Sequence, residues 1–193
     1  MAGNDDATFD SPEPRIDRAM PANETAPRRI LGVDPGLNVT GYAVIEDAGR
    51  CALVREAGVL RGPKGRAQLT LAFRLQHLYD GIVELIQQFR PGVMVVEQLY
   101  AHYAHPRTAI LMAHARGAIL LAGSQHGLAV RSYNATAIKK TTTGSGRASK
   151  AQMQRAIQRE LNLEKVPEPP DVADALAAAL CEFHLGRNSG NER

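Results

Sequence analysis

Residues 30–46 read ILGVDPGLNVTGYAVIE. Two apolar runs, ILGV and TGYAVI, flank a turn that opens with a carboxylate, Asp34, followed by Pro35-Gly36. Apolar runs of this length on either side of Pro-Gly predict two successive strands. An acid at the mouth of a buried strand is costly, because an isolated charge loses its hydration there. The rest of the chain has to supply the reason for Asp34.

Working outward, ALVREAGVL (52–60) predicts a third strand, and the short gaps allow an antiparallel meander. Residues 67–90 place Leu71, Leu75, Leu78, Ile82, Leu85 and Ile86 at helical spacing, and Pro91-Gly92 stops that helix. VMVVE (93–97) is a short, fully apolar strand of the kind buried on both faces. A helix over 106–126, a fifth strand LAVRSY, a loop TTTGSGRAS and a helix from Lys150 to Leu161 follow. After VPEPP a final helix begins near Asp171. Three strands without crossovers rule out a fully parallel doubly wound sheet. The expectation is α/β (α+β), a mixed five-stranded sheet flanked by helices, of the ribonuclease H type.

At 193 residues and 44% hydrophobic, the chain suits one full-sized core. Residues 1–29 contain four Pro, six acids and four bases and few large apolar residues, which predicts a disordered N-terminal extension. It is too acidic and too polar for a signal peptide. The folded domain is then expected over 30–186, with a flexible tail over 187–193. The net charge is +3 overall, so residues 30–193 carry +5. Eight bases against two acids fall between Arg131 and Lys165, which suits a polyanion such as nucleic acid. Cys51 and Cys181 fit no metal spacing and no disulfide framework, so a reducing, cytoplasmic setting is expected. No apolar run approaches the ~20 residues that span a bilayer, so no membrane association is expected.

Asp34 and Glu97 each end an apolar strand, while Asp171 and Asp174 sit three apart at the start of DVADALAAAL. Spacing i, i+3 puts the last two on one helical face. Taken singly, each has an ordinary structural role: a turn acid, a strand-end acid, an N-cap, a first-turn acid. Taken together, acids from three distant elements stand at apolar boundaries with no adjoining Arg or Lys. Such acids repel one another unless cations fill the gap, and hard oxygen donors favour Mg²⁺ or Mn²⁺. Two such ions about 3.5–4 Å apart can drive phosphodiester hydrolysis.

GVDPGLNVTGYAVIE, VVEQLYAHYAHPRTAILMAHARGAI, AIKKTTTGSGRASKAQM and DVADALAAALCEFH fall in order over residues 30–184. In these four stretches the chain resembles the RuvC family of Holliday-junction resolvases, bacterial endonucleases of ribonuclease H-like fold. The resemblance implies four acidic metal-site positions, which map to Asp34, Glu97, Asp171 and Asp174. Some members carry His at the third; this chain has Asp171. It implies two Mg²⁺ per subunit, with Mn²⁺ substituting. Tyr100 stands where the family has an aromatic that stacks on an unpaired base. Lys139 and Lys150 match basic positions near the scissile phosphate or backbone, and Lys140, Arg147 and Arg107 are weaker DNA-contact candidates. The implied partners are four-way junction DNA, a second copy of the chain, and the RuvA–RuvB branch-migration complex.

Helix 106–126 is apolar nearly all round, through Ile110, Leu111, Met112, Ile119, Leu120 and Leu121. Such a helix needs burial on more than one side. That is met either by a deep core position or by a homodimer interface, and the resemblance implies the dimer. His102, His105, His114 and His126 match no zinc spacing and read as loop and helix-surface residues. Three rivals fit the pattern less well. A sugar-kinase-like ATPase needs a second lobe and phosphate loop, and no GK[ST] is present. A nuclease acting on structured RNA makes less use of the basic Thr/Gly loop and Tyr100. A non-catalytic junction-binding module would not need four intact acids.

Overall fold

The computed structural model describes residues 27–63, 70–99 and 106–188. The strands are β1 (Arg29–Asp34), β2 (Val39–Asp47), β3 (Ala52–Arg61), β4 (Val93–Glu97) and β5 (Ala129–Tyr133). The helices are α1 (Leu71–Phe89), α2 (Pro106–Gln125), α3 (Ala135–Thr143), α4 (Lys150–Glu160) and α5 (Pro170–Asn188). The sheet order is β3-β2-β1-β4-β5. The first three strands form the expected antiparallel meander, and β1–β4 and β4–β5 pair in parallel. This is the expected mixed five-stranded sheet flanked by helices, of ribonuclease H-like arrangement.

Alternation along the strands assigns each residue to one of two cores. Ile30, Ala43, Ile45, Val93 and Val95 face α5, together with Ile138, Met153 and Ile157 of α3 and α4. Leu31, Val33, Val44, Met94 and Val96 face the other way, against Leu78, Ile82 and Ile86 of α1 and Ala115, Ile119 and Ala122 of α2. The two parallel-paired central strands are therefore buried on both faces, as their unbroken apolar runs require. α1 starts behind Thr70, whose side chain accepts from the Phe73 N–H, and ends at Arg90 in the left-handed conformation. Residues 67–69 of the expected helix lie outside the described residues.

Two expectations are corrected. Residues 141–143 of the expected loop are the last turn of a helix, α3, that starts at Ala135, and residues 144–149 alone connect it to α4. Asn134 caps its start by accepting from the Ala137 N–H, and Gly144 (φ 79°) closes its end. The domain also begins before residue 30. β1 starts at Arg29, whose guanidinium bonds Glu46 at 2.9 Å, and Arg28 reaches Glu182 on α5 at 2.5 Å. The remainder of the expected extension, 1–26, and the end of the expected tail, 189–193, lie outside the described residues.

α5 meets the sheet at backbone distance. A Cβ on Gly32 of β1 would overlap the Ala175 carbonyl and crowd Ala179, and one on Gly41 of β2 would overlap the Asp171 carbonyl. Ala173, Ala175, Ala177, Ala178 and Ala179 are all buried, so small residues on both surfaces permit the approach. Gly41→Ala should therefore destabilise the fold by about 1–3 kcal/mol, the usual cost of overpacking. Chemical denaturation reads this directly; an unchanged midpoint would contradict the close contact.

Candidate active site

Asp34 is the last residue of β1 and pairs in register with Gly41, the glycine against which the Asp171 carbonyl packs. The Pro35-Gly36 turn beyond it is braced by Thr40, which is fully buried. Its hydroxyl donates to the Gly36 carbonyl at 2.5 Å and accepts from the Gly36 N–H at 3.3 Å. Glu97 ends β4, the parallel neighbour of β1, so both acids emerge at the same end of the sheet. Asp171 and Asp174 come from the first turns of α5, laid over β1 and β2. The fold thus brings together the four acids that the sequence singled out.

Their electrostatics show how close they are. The Asp34 carboxyl is pushed up from 3.8 to about 8, first by burial, then by the charges of Asp174, Glu97 and Asp171, with Lys150 pulling the other way. Glu97 is raised by burial and by Asp174, and lowered by Lys139 and Lys150. Asp174 is raised by burial, lowered by Lys150, raised by Asp171 and lowered by Lys139. Among the described residues none of the four acids forms an ion pair within 4 Å. By contrast Glu46, held by Arg55 and Arg29, is pulled down to about 2.

A cavity of about 190 Å³ opens between the sheet end and α3–α4, lined by Glu97, Asp174, Lys139 and Lys150, with Ile138 and Met153 as apolar walls. Lys139 and Lys150, which the family resemblance marks as DNA contacts, line this cavity with Glu97 and Asp174. Lys140 and Arg147 are exposed and do not line this cavity, and Arg107 is exposed in the first turn of α2. Tyr100, His102 and His105 lie outside the described residues. His114 and His126 bond the carbonyls of Ile110 and Ala122 on their own helix, which fits a helix-surface role. Arg116 and Ser132 escaped the sequence reading: the Arg116 guanidinium donates to the Glu97 carbonyl at 3.1 Å and to Ser132 Oγ at 2.8 Å. The available signal was the position of Arg116 in mid-helix, between Ala115 and Gly117.

Four oxygen-only donors, of which Asp34, Glu97 and Asp174 are raised by burial and by acidic neighbours, suit a hard divalent cation. The fit is one of donor chemistry and shared charge: among the described residues no three Asp, Glu, His or Cys side chains enclose a point as a closed metal cluster would. Asp34, Glu97, Asp171 and Asp174 could hold such an ion, and Lys139 and Lys150 line the same cavity as Glu97 and Asp174.

The pH consequence has a definite sign. Between 3.8 and about 8 the Asp34 carboxyl keeps its proton in the fold and loses it in the unfolded chain. Stability in EDTA should therefore fall as pH rises through that window. Asp34→Asn should remove much of the fall and unfold at a higher temperature near pH 8, by about 2–4 °C for each kcal/mol gained. Adding Mg²⁺ at pH 8 should raise the melting temperature of the native protein and leave that of the variant nearly unchanged. Differential scanning calorimetry checks both, and an Asp34→Asn melting temperature below the native one in EDTA would contradict them.

The family model "Crossover junction endodeoxyribonuclease RuvC" matches residues 30–182. A crossover junction endodeoxyribonuclease RuvC from Rhodopirellula baltica is 50% identical over 159 residues, covering 82% of this chain and 88% of that one. Among solved structures, Thermus thermophilus RuvC superposes with a TM-score of 0.74 at 27% identity, covering 83% of this chain and 96% of that one. The T. thermophilus RuvC in complex with a Holliday junction substrate gives 0.73 at 25% identity, with the same coverage.

Proposed function

This chain belongs to the RuvC family of crossover junction endodeoxyribonucleases, and from that premise we propose that it resolves four-way DNA junctions by paired, symmetric nicks. Four carboxylates that form no ion pair within 4 Å among the described residues, gathered near Lys139 and Lys150, are the observation that carries the reading. Nucleases of this family are metal-dependent. Two Mg²⁺, with Mn²⁺ able to substitute, would activate water and stabilise the leaving oxygen when bound at Asp34, Glu97, Asp171 and Asp174.

The chain's own residues do the rest. Asp34 is central, since its charge is felt with those of all three other acids, and it is best placed to serve both ions. Glu97 and Asp174 would each help to hold one ion, and Asp171 would complete the second site or orient the water. Lys139 and Lys150 neutralise phosphate oxygens at the cavity rim, which lets a polyanion approach four carboxylates. Lys140 and Arg147, exposed on α3 and on the loop after it, suit backbone contacts farther along the strand. Tyr100 would stack on an unpaired base near the crossover, a contact worth about 1–3 kcal/mol. Hydrolysis leaves 5′-phosphate and 3′-hydroxyl ends without a covalent intermediate.

A four-way junction is two-fold symmetric, so two like nicks call for two active sites related by a two-fold axis. α2 supports a homodimer: Ala115, Ile119 and Ala122 face the core, while Ile110, Leu111 and Leu121 remain exposed. A cytoplasmic setting is what the family resemblance implies. Partnership with the RuvA–RuvB branch-migration complex follows from the family resemblance alone.

The test incubates the protein with a mobile four-way DNA junction, a plain duplex and an RNA hairpin, with and without Mg²⁺. Paired nicks confined to the junction and lost in EDTA are expected, and cutting of RNA alone would refute the reading. Asp34→Asn and Asp174→Asn should abolish nicking while leaving junction affinity in gel-shift assays nearly unchanged. Cleavage retained by both variants would sink the metal-site assignment.

A further inference from the structure

Glu97 sits one residue beyond Val33–Val96, the last register pair of β1 with β4. On the other side β4 keeps its partner: Glu97 lies opposite Tyr133, and the Gln98 N–H donates to the Tyr133 carbonyl at 2.9 Å. The strand end that aims the Glu97 carboxylate is thus tied to β5 and has outrun β1. Arg116, half-buried on α2, reaches this end. Its Nε–H donates to the Glu97 carbonyl at 3.1 Å, and a terminal NH₂ donates to Ser132 Oγ on β5 at 2.8 Å. One planar guanidinium therefore spans the end of β4 and its neighbour in a fixed geometry, which a single ammonium cannot reproduce.

We propose that Arg116 is a positioning residue for Glu97. It pins the end of β4 against β5, and so sets where the Glu97 carboxylate stands relative to Asp34 and Asp174. It touches neither substrate nor ion; it acts through the backbone of a ligand, as the partners behind metal ligands do. Ser132 is the anchor that holds the guanidinium in its plane. The inference rests on the reading of Glu97 as an ion ligand, and it concerns ion affinity before it concerns cleavage.

The test titrates Mn²⁺ into the full-length protein, following the free ion by electron paramagnetic resonance, with melting temperature and junction cleavage measured alongside. Arg116→Gln should weaken Mn²⁺ binding by about 10–100-fold, the usual cost of removing a partner behind a metal ligand. Its melting temperature in EDTA should stay within a few degrees of the native value. Arg116→Lys should be intermediate, because one ammonium serves only one of the two acceptors well. Native Mn²⁺ affinity in Arg116→Gln would overturn the proposal. If that variant does not fold, Ser132→Ala decides: a weakened Mn²⁺ affinity supports the proposal and an unchanged one overturns it. Native protein that binds Mn²⁺ but cuts no junction would count against the nuclease reading and leave this inference standing; native protein that binds no Mn²⁺ would overturn it.

Discussion

The contact between α5 and the β1–β2 hairpin governs the rest of the molecule. At Gly32 and Gly41 the sheet offers no side chain, so the α5 backbone at Ala175 and Asp171 comes up against the strands directly. The helix consequently delivers Asp171 and Asp174 to the end of the strand that bears Asp34. A bulkier residue at either glycine would lift the helix and part the acids. The Ala-rich composition of α5 is therefore a condition for the site as well as for the core.

Close approach creates an electrostatic problem that the fold leaves unresolved within itself. Elsewhere acids are matched with guanidinium groups: Glu46 with Arg29 and Arg55, and the fully buried Glu182 with Arg28 and Arg131, helped by the Tyr133 hydroxyl at 2.7 Å. Among the described residues Lys139 and Lys150 are the bases whose charges reach the acids of the cleft, and these moderate the repulsion without ending it. Glu46 pulled down to about 2 and Asp34 pushed up to about 8 mark the two extremes in one small domain. A site that holds protons this firmly in the fold is one where divalent cations compete with protons for the same oxygens.

Most of this arrangement was legible in the sequence. The strands were readable because alternating or unbroken apolar runs report sheet burial, and α1 because Leu78, Ile82, Leu85 and Ile86 mark one helical face. The four acids stood out because each interrupts an apolar boundary without a basic neighbour. α3 was missed because Thr141, Thr142 and Thr143 are weak helix formers beside Gly144. Tertiary burial of Ile138 and Thr142, with Thr142 and Thr143 hydroxyls donating to the carbonyls of Ile138 and Lys139, makes it a helix. Arg28 and Arg29 read as part of a polar extension because their partners, Glu182 and Glu46, lie 154 and 17 residues away. Arg116 could not be assigned from the sequence, since its acceptors are a backbone carbonyl and a hydroxyl on other elements.

The shared cation site proposed for these four carboxylates is open to direct observation. Anomalous diffraction from crystals of the protein soaked in Mn²⁺ tests it most directly. The account predicts two anomalous peaks per subunit, bounded by Asp34, Glu97, Asp171 and Asp174, with Asp34 oxygens touching both. Peaks placed elsewhere, or none among these four side chains at saturating Mn²⁺, would contradict it.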